Sequence, residues 1–151
     1  MWNALFAATN LIALVGWALL VLSPRGKVIE TLVLYLGAVL LCLIYTVLLV
    51  LIVSGTVAAG EGGGSFTSIA GIRAIFASDA GVVTGWTHYL ALDLFVGLWI
   101  AKDADAKAFS RLVQAPVLLL TFVAGPAGLL LWMIVRERRA RAAARGKVRR
   151  L

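Results

Sequence analysis

Long, uninterrupted apolar stretches constrain the fold of this chain more than any other feature. Four of them stand out, at about residues 2–22, 28–53, 80–101 and 112–135. A helix needs about 20 apolar residues to cross a bilayer, because each residue adds about 1.5 Å along its axis. In lipid the backbone polar groups must bond within the protein, so such spans are helices. The chain is therefore predicted to be all-α, an integral membrane four-helix bundle within residues 1–136.

Composition supports the same class of protein. The chain is 62% hydrophobic and 14% charged, whereas soluble domains are about 45–50% apolar and about 25% charged. Eight of the 14 lysine and arginine residues lie in the last sixteen positions. A basic segment directly after an apolar run is typical of a cytoplasmic anchor beside anionic lipid, rather than of a nucleic-acid arm. Residues 137–151 are thus predicted to be a basic cytoplasmic tail, and no nucleic-acid partner is expected.

The distribution of basic residues also predicts on which side of the membrane the two termini lie. The first apolar run resembles a signal peptide, but it has no basic region before it and exceeds the usual 7–15 apolar residues, so it is interpreted as a retained span. Four spans place both termini on one side, and the basic tail assigns that side to the cytoplasm. Asp103 and Asp105 are expected to belong to a solvated boundary on the other side. That side then carries more basic residues than the rule favours, namely Arg25, Lys27, Lys102, Lys107 and Arg111.

Two weaker patterns concern the connections and the last span. The Gly60–Gly64 run is predicted to be a flexible loop, since no Lys-Ser or Lys-Thr follows its glycines as in a phosphate loop. Residues 66–77 have near-helical apolar spacing and predict a short interfacial or re-entrant helix between the second and third spans. Its single charge, Arg73, is either a snorkelling anchor or a counter-ion at the bundle mouth. Pro126 is expected to kink the fourth helix.

The third span carries the ionisable residues His88 and Asp93. A charged group at membrane depth costs about 2.5–3.5 kcal/mol on insertion scales, so such residues mark functional sites by default. Tyr89, four residues before Asp93, shares its helix face, whereas His88 lies well around the helix. In the alternative interpretation Asp93 only joins helices, at about 0.6 kcal/mol per bond, and His88 is a bridge near the interface. In that case Asp93 accepts from Tyr89 and from a hydroxyl or amide of another helix, such as Asn10, Thr46 or Thr121.

The sequence does not contain the residue patterns expected of a metal site or of nucleophilic catalysis. One histidine, one cysteine and scattered carboxylates do not form a zinc or di-iron ligand set, so no metal site is predicted. No serine follows a nucleophile-elbow pattern. Cys42 lies in an apolar run and is expected to be a small buried hydrophobe. Tryptophans near span ends suit an aromatic belt, but Trp86 and Trp99, together with Tyr89, also suit a ligand wall.

Two strings of the chain together resemble the abscisic-acid-deficiency-four-like family. They are FTSIAGIRAIFASDAGVVTGWTHYLALDLFVGLWIAKDA and APVLLLTFVAGPAGLLLWMIVR. Members of this family are small four-span membrane proteins, and the plant members are needed to make neoxanthin from violaxanthin. The resemblance implies an intramolecular isomerisation in which an epoxide opens while a proton leaves the adjacent polyene carbon, forming an allene. Such a reaction needs an acid and a base but no redox cofactor or metal.

On this resemblance, Asp93 is the hypothetical base, and His88 or Tyr89 assists epoxide opening. Substrate contacts are expected from Trp86, Trp99, Arg73 and Asn10. The chain starts at its first span and ends in an Ala/Arg-rich tail, which favours a bacterial cytoplasmic membrane and another carotenoid or isoprenoid lipid as substrate.

The alternative is a non-catalytic carotenoid- or lipid-binding subunit, as a homo-oligomer or beside a membrane-protein partner. The enzyme hypothesis requires His88 or Asp93 to line a cavity, whereas the binding hypothesis also allows both to be buried in helix contacts.

Overall fold

A computed structural model describes residues 1–24, 26–58 and 64–148, with side chains only as far as Glu137 in the last helix. Arg25, most of the predicted glycine loop and the end of the predicted tail lie outside these residues. The described part is all-α and has no strands. Its helices are α1 (Trp2–Leu22), α2 (Lys27–Val53), α3 (Ile69–Ile75), α4 (Asp79–Ala106), α5 (Arg111–Val123) and α6 (Gly125–Val148).

Helices α1 and α2 are long and apolar enough to cross a membrane. Only 28% of the apolar window of α1 and 22% of that of α2 is buried, so most of their large apolar side chains cover the outer surface. Cys42 of α2 belongs to this exposed surface. The prediction of a buried cysteine was wrong, because an apolar run in a membrane-type helix does not reveal which face meets the other helices.

The long helix α4 lies at the centre of the packing, with half of its 28 residues buried. Leu94 of α4 fits between Gly16 of α1 and Gly37 of α2. A Cβ atom built on either glycine would lie 2.7 or 2.8 Å from Leu94 Cδ2, so neither position has room for a larger residue beside that leucine. Gly37 belongs to a π-helical stretch of α2, Val33–Val39. Close approach of helices at glycine is typical of membrane proteins.

Contacts along α4 give the directions of its neighbours. Trp86 of α4 donates a hydrogen bond to Asn10 of α1 at 3.1 Å, and further along both helices Trp17 lies against Gly97, so α1 runs parallel to α4. His88 of α4 contacts Tyr45 of α2, whereas Lys102, later in α4, lies 3.4 Å from Glu30 at the start of α2, so α2 runs antiparallel. Residues 23–30 and 102–111 therefore share one end of the molecule, called the basic end here, and Asp79 lies at the opposite, N-terminal end.

The predicted fourth span is two helices rather than one. Helix α5 ends at Val123, and Ala124 leaves the helical conformation with φ −148° and ψ 75°. Helix α6 then begins at Gly125, and Pro126 lies in its first turn, where the missing N–H costs no helical bond. Pro126 therefore does not kink a continuous helix, as predicted, but lies where a new helix begins.

Helix α6 turns back toward the basic end. Trp132 Nε1 of α6 donates to Asp103 Oδ2 of α4 at 3.0 Å, and Arg136 Nε lies 3.3 Å from the same carboxylate oxygen. Trp132 also packs edge-on against Phe109, which precedes α5, with ring centroids 5.0 Å apart. Helices α5 and α6 thus form a hairpin with its tip at Ala124, called the tip hairpin.

This path differs from the predicted arrangement of four spans. Helices α1, α2 and α4 pack side by side between the two ends, and the tip hairpin enters and leaves at the basic end. Met1 lies at the N-terminal end, while α6 leads away from the basic end. The short predicted helix between the second and third long helices is present as α3, where Ser68 accepts a hydrogen bond from the Gly71 N–H at 3.0 Å.

Candidate functional site

The tip hairpin reaches the middle of α4 at Asp93. A Cβ atom on Gly125 would overlap the carboxylate of Asp93, so the side chain lies directly against the first residue of α6. Asp93 is only 8% exposed, and its Oδ2 atom has no hydrogen-bond partner among the described residues. The N-terminus of a helix carries a partial positive charge that favours a carboxylate. A buried carboxylate thus faces the start of a helix that begins halfway along the bundle.

Tyr89, one turn before Asp93, contacts the other side of the same tip. Its hydroxyl donates to the carbonyl oxygen of Val123 at 3.1 Å. The last carbonyls of a helix lack partners within that helix, so Tyr89 satisfies one of them at the end of α5. Tyr89 and Asp93 share a face of α4, as their spacing indicated.

An aromatic groove of about 260 Å³ opens beside Tyr89 and below the hairpin tip. Trp86 lies between Phe6 and Tyr89, with ring centroids 6.0 and 5.4 Å away. Asn10 accepts the hydrogen bond from Trp86 Nε1 and donates its own amide to the Phe6 carbonyl at 2.7 Å. The groove is lined by Asn10, Ala13, Leu14, Trp86, Tyr89, Leu90, Phe122 and Val123.

His88 belongs to a different groove. Its exposed ring stacks against Tyr45 of α2 with ring centroids 5.2 Å apart. A groove of about 420 Å³ lies beside this pair, between α2, α4 and the segment that contains α3. His88 and Asp93 are therefore in separate environments, in line with their positions around the helix.

Two predicted substrate-binding residues lie away from the aromatic groove. Trp99 packs against Arg136, whose guanidinium carbon lies 5.5 Å from the ring centroid. Thirteen residues separate it from Trp86, which is about 20 Å along a helix, so the expected wall of Trp86, Tyr89 and Trp99 is not assembled. Arg73 is exposed on α3 and lines neither groove.

The alternative partners considered for Asp93 are used elsewhere. Thr46 donates to the Cys42 carbonyl and Thr121 to the Val117 carbonyl, each at 2.8 Å. Asn10 bonds Trp86 and Phe6. Asp93 therefore lies against Gly125 at the hairpin tip, and the side chains of Asn10, Thr46 and Thr121 bond other groups.

A polar cluster at the basic end was missed by the sequence interpretation. Asp103, expected at a solvated boundary, has only 14% of its side chain exposed and pairs with Lys107 and Arg136 as well as Trp132. Nearby, Gln114 is 1% exposed and donates to Asp105 Oδ1 at 2.7 Å. Trp132 and Arg136 are about thirty residues from Asp103 in the chain, so no local spacing indicates these pairs. They depend on the return of α6 to the basic end.

Comparison with known proteins supports the resemblance described above. The model of the ABA4-like family, described as ABA DEFICIENT 4-like, matches residues 4–132. This range begins in α1, contains both grooves and the hairpin tip, and ends in α6. No curated protein and no solved structure matches the chain. Because the family model covers well over half of the sequence, the chain belongs to the ABA4-like family.

Proposed function

We propose that this ABA4-like protein is an integral membrane isomerase that acts on a carotenoid or a related isoprenoid without a cofactor. Family membership supports a relation to neoxanthin synthesis. The largely exposed apolar surfaces of α1 and α2 support a position within lipid, since a soluble protein rarely exposes large contiguous apolar patches. A bacterial cytoplasmic membrane is the proposed location.

In this proposal α1, α2 and α4 cross the membrane and the tip hairpin is re-entrant. Helix α5 has 13 residues, which is about 20 Å of a hydrocarbon core about 30 Å thick. Its end at Val123 then lies at membrane depth. Interrupted helices are tolerated there when the free backbone groups find partners within the protein, and the Tyr89 hydroxyl provides one for the Val123 carbonyl.

The observation that carries the proposal is the pairing of Tyr89 with Asp93 beside an apolar groove. Tyr89 lines the aromatic groove, and Asp93 lies behind it with one carboxylate oxygen unpartnered among the described residues. A phenol and a carboxylate one helical turn apart on the same face can supply the acid and the base that an epoxide-to-allene isomerisation needs. His88 lies in the other groove, so the role of acid is assigned to Tyr89.

The proposed reaction conserves every atom of the substrate. Tyr89 donates its phenolic proton to the epoxide oxygen as the carbon–oxygen bond breaks. Asp93, whose carboxylate must turn from the hairpin tip toward the groove, accepts the proton that leaves the adjacent polyene carbon, and the electron pair of that C–H bond completes the allene. Proton transfer from Asp93 to the Tyr89 phenolate then restores both groups.

A non-catalytic binding subunit is the second candidate. The burial of Asp93 in a helix contact favours it, because a carboxylate without access to the groove cannot remove a proton from a substrate. The stacked rings of Phe6, Trp86 and Tyr89 would then bind a polyene through apolar and aromatic contact alone.

A direct test expresses the protein in bacterial cells that make violaxanthin and separates the carotenoids by chromatography. The comparison includes wild type, Asp93→Asn, Tyr89→Phe and Asp79→Asn, which changes an exposed aspartate at the start of α4 as a control. We expect an isomeric product from wild type and from the control only, with all four proteins folded and present in equal amounts. Full conversion by Asp93→Asn would show that Asp93 is not the base. No conversion by wild type, with violaxanthin still co-purifying, would favour the binding subunit.

A further inference from the structure

We infer that the basic end of this protein is its cytoplasmic surface, and that the aromatic groove takes its isoprenoid from the opposite leaflet. The statement about the substrate rests on the proposed function, whereas the orientation does not. The inference begins with charge. Of the 14 lysine and arginine residues, all but Arg73 occur in the α1–α2 connection, the end of α4, the start of α5 or the chain from Arg136 onward.

The tip hairpin brings the described parts of these four segments to one end. In a four-span arrangement the α1–α2 and α4–α5 connections would lie across the membrane from the basic tail, against the positive-inside rule. Here Arg136 of α6 and Lys107, directly after α4, pair with the same carboxylate, that of Asp103. Arg111 Nη2 of α5 donates to the Ser23 carbonyl at the end of α1, at 2.6 Å. The return of α6 to the basic end therefore removes the conflict with the positive-inside rule.

The positive-inside rule then orients the molecule. Basic residues close to span ends accumulate on the cytoplasmic side, where anionic headgroups also attract them. The basic end meets this condition, and the N-terminal end has only Arg73. The N-terminal end of α1 is therefore assigned to the non-cytoplasmic side, and the segment after Arg136 to the cytoplasm.

The same geometry places the aromatic groove in the non-cytoplasmic half of the membrane. Trp86 is seven residues from the start of α4, or about 10 Å along its axis, while the tip hairpin occupies the half of α4 nearer the basic end. Phe6 and Trp86 remain 38% and 40% exposed on the outer surface, so the groove opens sideways to lipid. A long apolar molecule dissolved in that leaflet can reach Tyr89 without crossing the basic end.

The orientation can be tested with single cysteines. Cys42 is the only cysteine of the chain, so Cys42→Ser provides a background for Thr67→Cys at the N-terminal end and Ser110→Cys at the basic end. Both positions are exposed, and Ser110 makes no side-chain cap bond. A membrane-impermeant maleimide is applied to spheroplasts before and after lysis. We expect Thr67→Cys to react before lysis and Ser110→Cys only after it. The reverse pattern, or equal labelling of both before lysis, overturns the orientation.

The leaflet of the groove can be tested by fluorescence quenching. Phosphatidylcholine with a nitroxide on its acyl chain is added to the outer leaflet of right-side-out or inside-out membrane vesicles. The signal of Trp86 is the difference between wild type and Trp86→Phe. We expect at least twofold stronger quenching of that difference signal in right-side-out vesicles. Equal or reversed quenching overturns the leaflet assignment. Neither measurement uses turnover, so an inactive protein would refute the proposed function while leaving these results valid.

Discussion

Asp93 of α4 and Gly125 of α6 pack so closely that the glycine has no room for a side chain. Asp93 is a buried carboxylate near the middle of α4. The contact with Gly125 places it against the tip of the hairpin, which reaches only halfway along α4. The last carbonyl of α5 and the first residue of α6 both meet the Tyr89–Asp93 face of α4. The position of the hairpin tip therefore determines the environment of both Tyr89 and Asp93, the candidate acid and base.

Gly125→Ala should destabilise the hairpin tip. The added methyl group would displace the Asp93 carboxylate or α6, and overpacking of this kind costs about 1–3 kcal/mol. The measurement is thermal unfolding in detergent. Gly26→Ala is the matched control, because a Cβ atom there meets nothing within 4 Å. In the double variant Asp93→Ser, Gly125→Ala, the smaller side chain makes room, so the combined loss should be less than the sum of the two single losses. Strict additivity would contradict the contact.

Tyr89 and Asp93 should act as one unit, and His88 should act separately. Removing either member of an acid–base pair costs about 10²–10⁴-fold in rate, so Tyr89→Phe with Asp93→Asn should be little worse than one change alone. His88→Gln should alter turnover by a similar factor in the wild-type and Tyr89→Phe backgrounds, because His88 lines the other groove. Initial rates of product formation give both comparisons. Strong non-additivity between His88 and Tyr89 would mean that the two grooves form one site.

Trp132→Phe should weaken the attachment of the hairpin at the basic end. Trp132 is fully buried, and its Nε1 donates to Asp103 Oδ2 at 3.0 Å. Loss of a hydrogen bond to a buried charged group costs about 1.5–3 kcal/mol. Trp99→Phe provides the comparison, since Trp99 is 36% exposed and chiefly loses its contact with Arg136, worth about 0.5–1 kcal/mol. Unfolding midpoints should therefore fall further for Trp132→Phe. An equal fall would indicate that Asp103 does not need this donor.

Asn10→Leu should change the aromatic groove more than it changes the stability of the protein. A hydrogen bond between membrane helices contributes about 0.6 kcal/mol on average, so the protein should remain folded. Trp86 would lose its acceptor at 3.1 Å and the fixed position of its ring between Phe6 and Tyr89. Polyene binding, followed by quenching of Trp86 fluorescence, should weaken several-fold. Thr46→Val is the control, because Thr46 bonds only a carbonyl of its own helix. Unchanged binding by Asn10→Leu would show that packing alone holds Trp86.

Features set by contiguous residues could be predicted from the sequence. Apolar runs located α1, α2 and α4 nearly to their ends, because helix formation depends on neighbouring residues and on the spacing of apolar positions. The shared face of Tyr89 and Asp93 followed from their four-residue spacing. The separation of His88 from Asp93 followed from the same periodicity. Family membership, now shown over residues 4–132, was visible in the strings around these residues.

Features that involve residues far apart in the chain depend on the reversal of chain direction at Ala124. The non-helical backbone angles at Ala124 decide whether the last apolar segment continues as one helix or returns to the basic end. Pro126 is compatible with a kink and with a helix start, so the sequence alone does not distinguish them. The return of α6 separates the two ends of the chain, buries Asp103 against Trp132 and brings Arg136 over Trp99.

By itself the sequence determined the helical class, the long helices and the pair of residues that share the centre of α4, since each depends on local composition and period. Only the tertiary structure decided that Gly125 covers Asp93, that Asn10 holds Trp86 rather than Asp93, and that His88 lies in a groove of its own. Those outcomes require contacts between residues far apart in the chain, and such contacts follow from how whole helices pack, which no local pattern encodes.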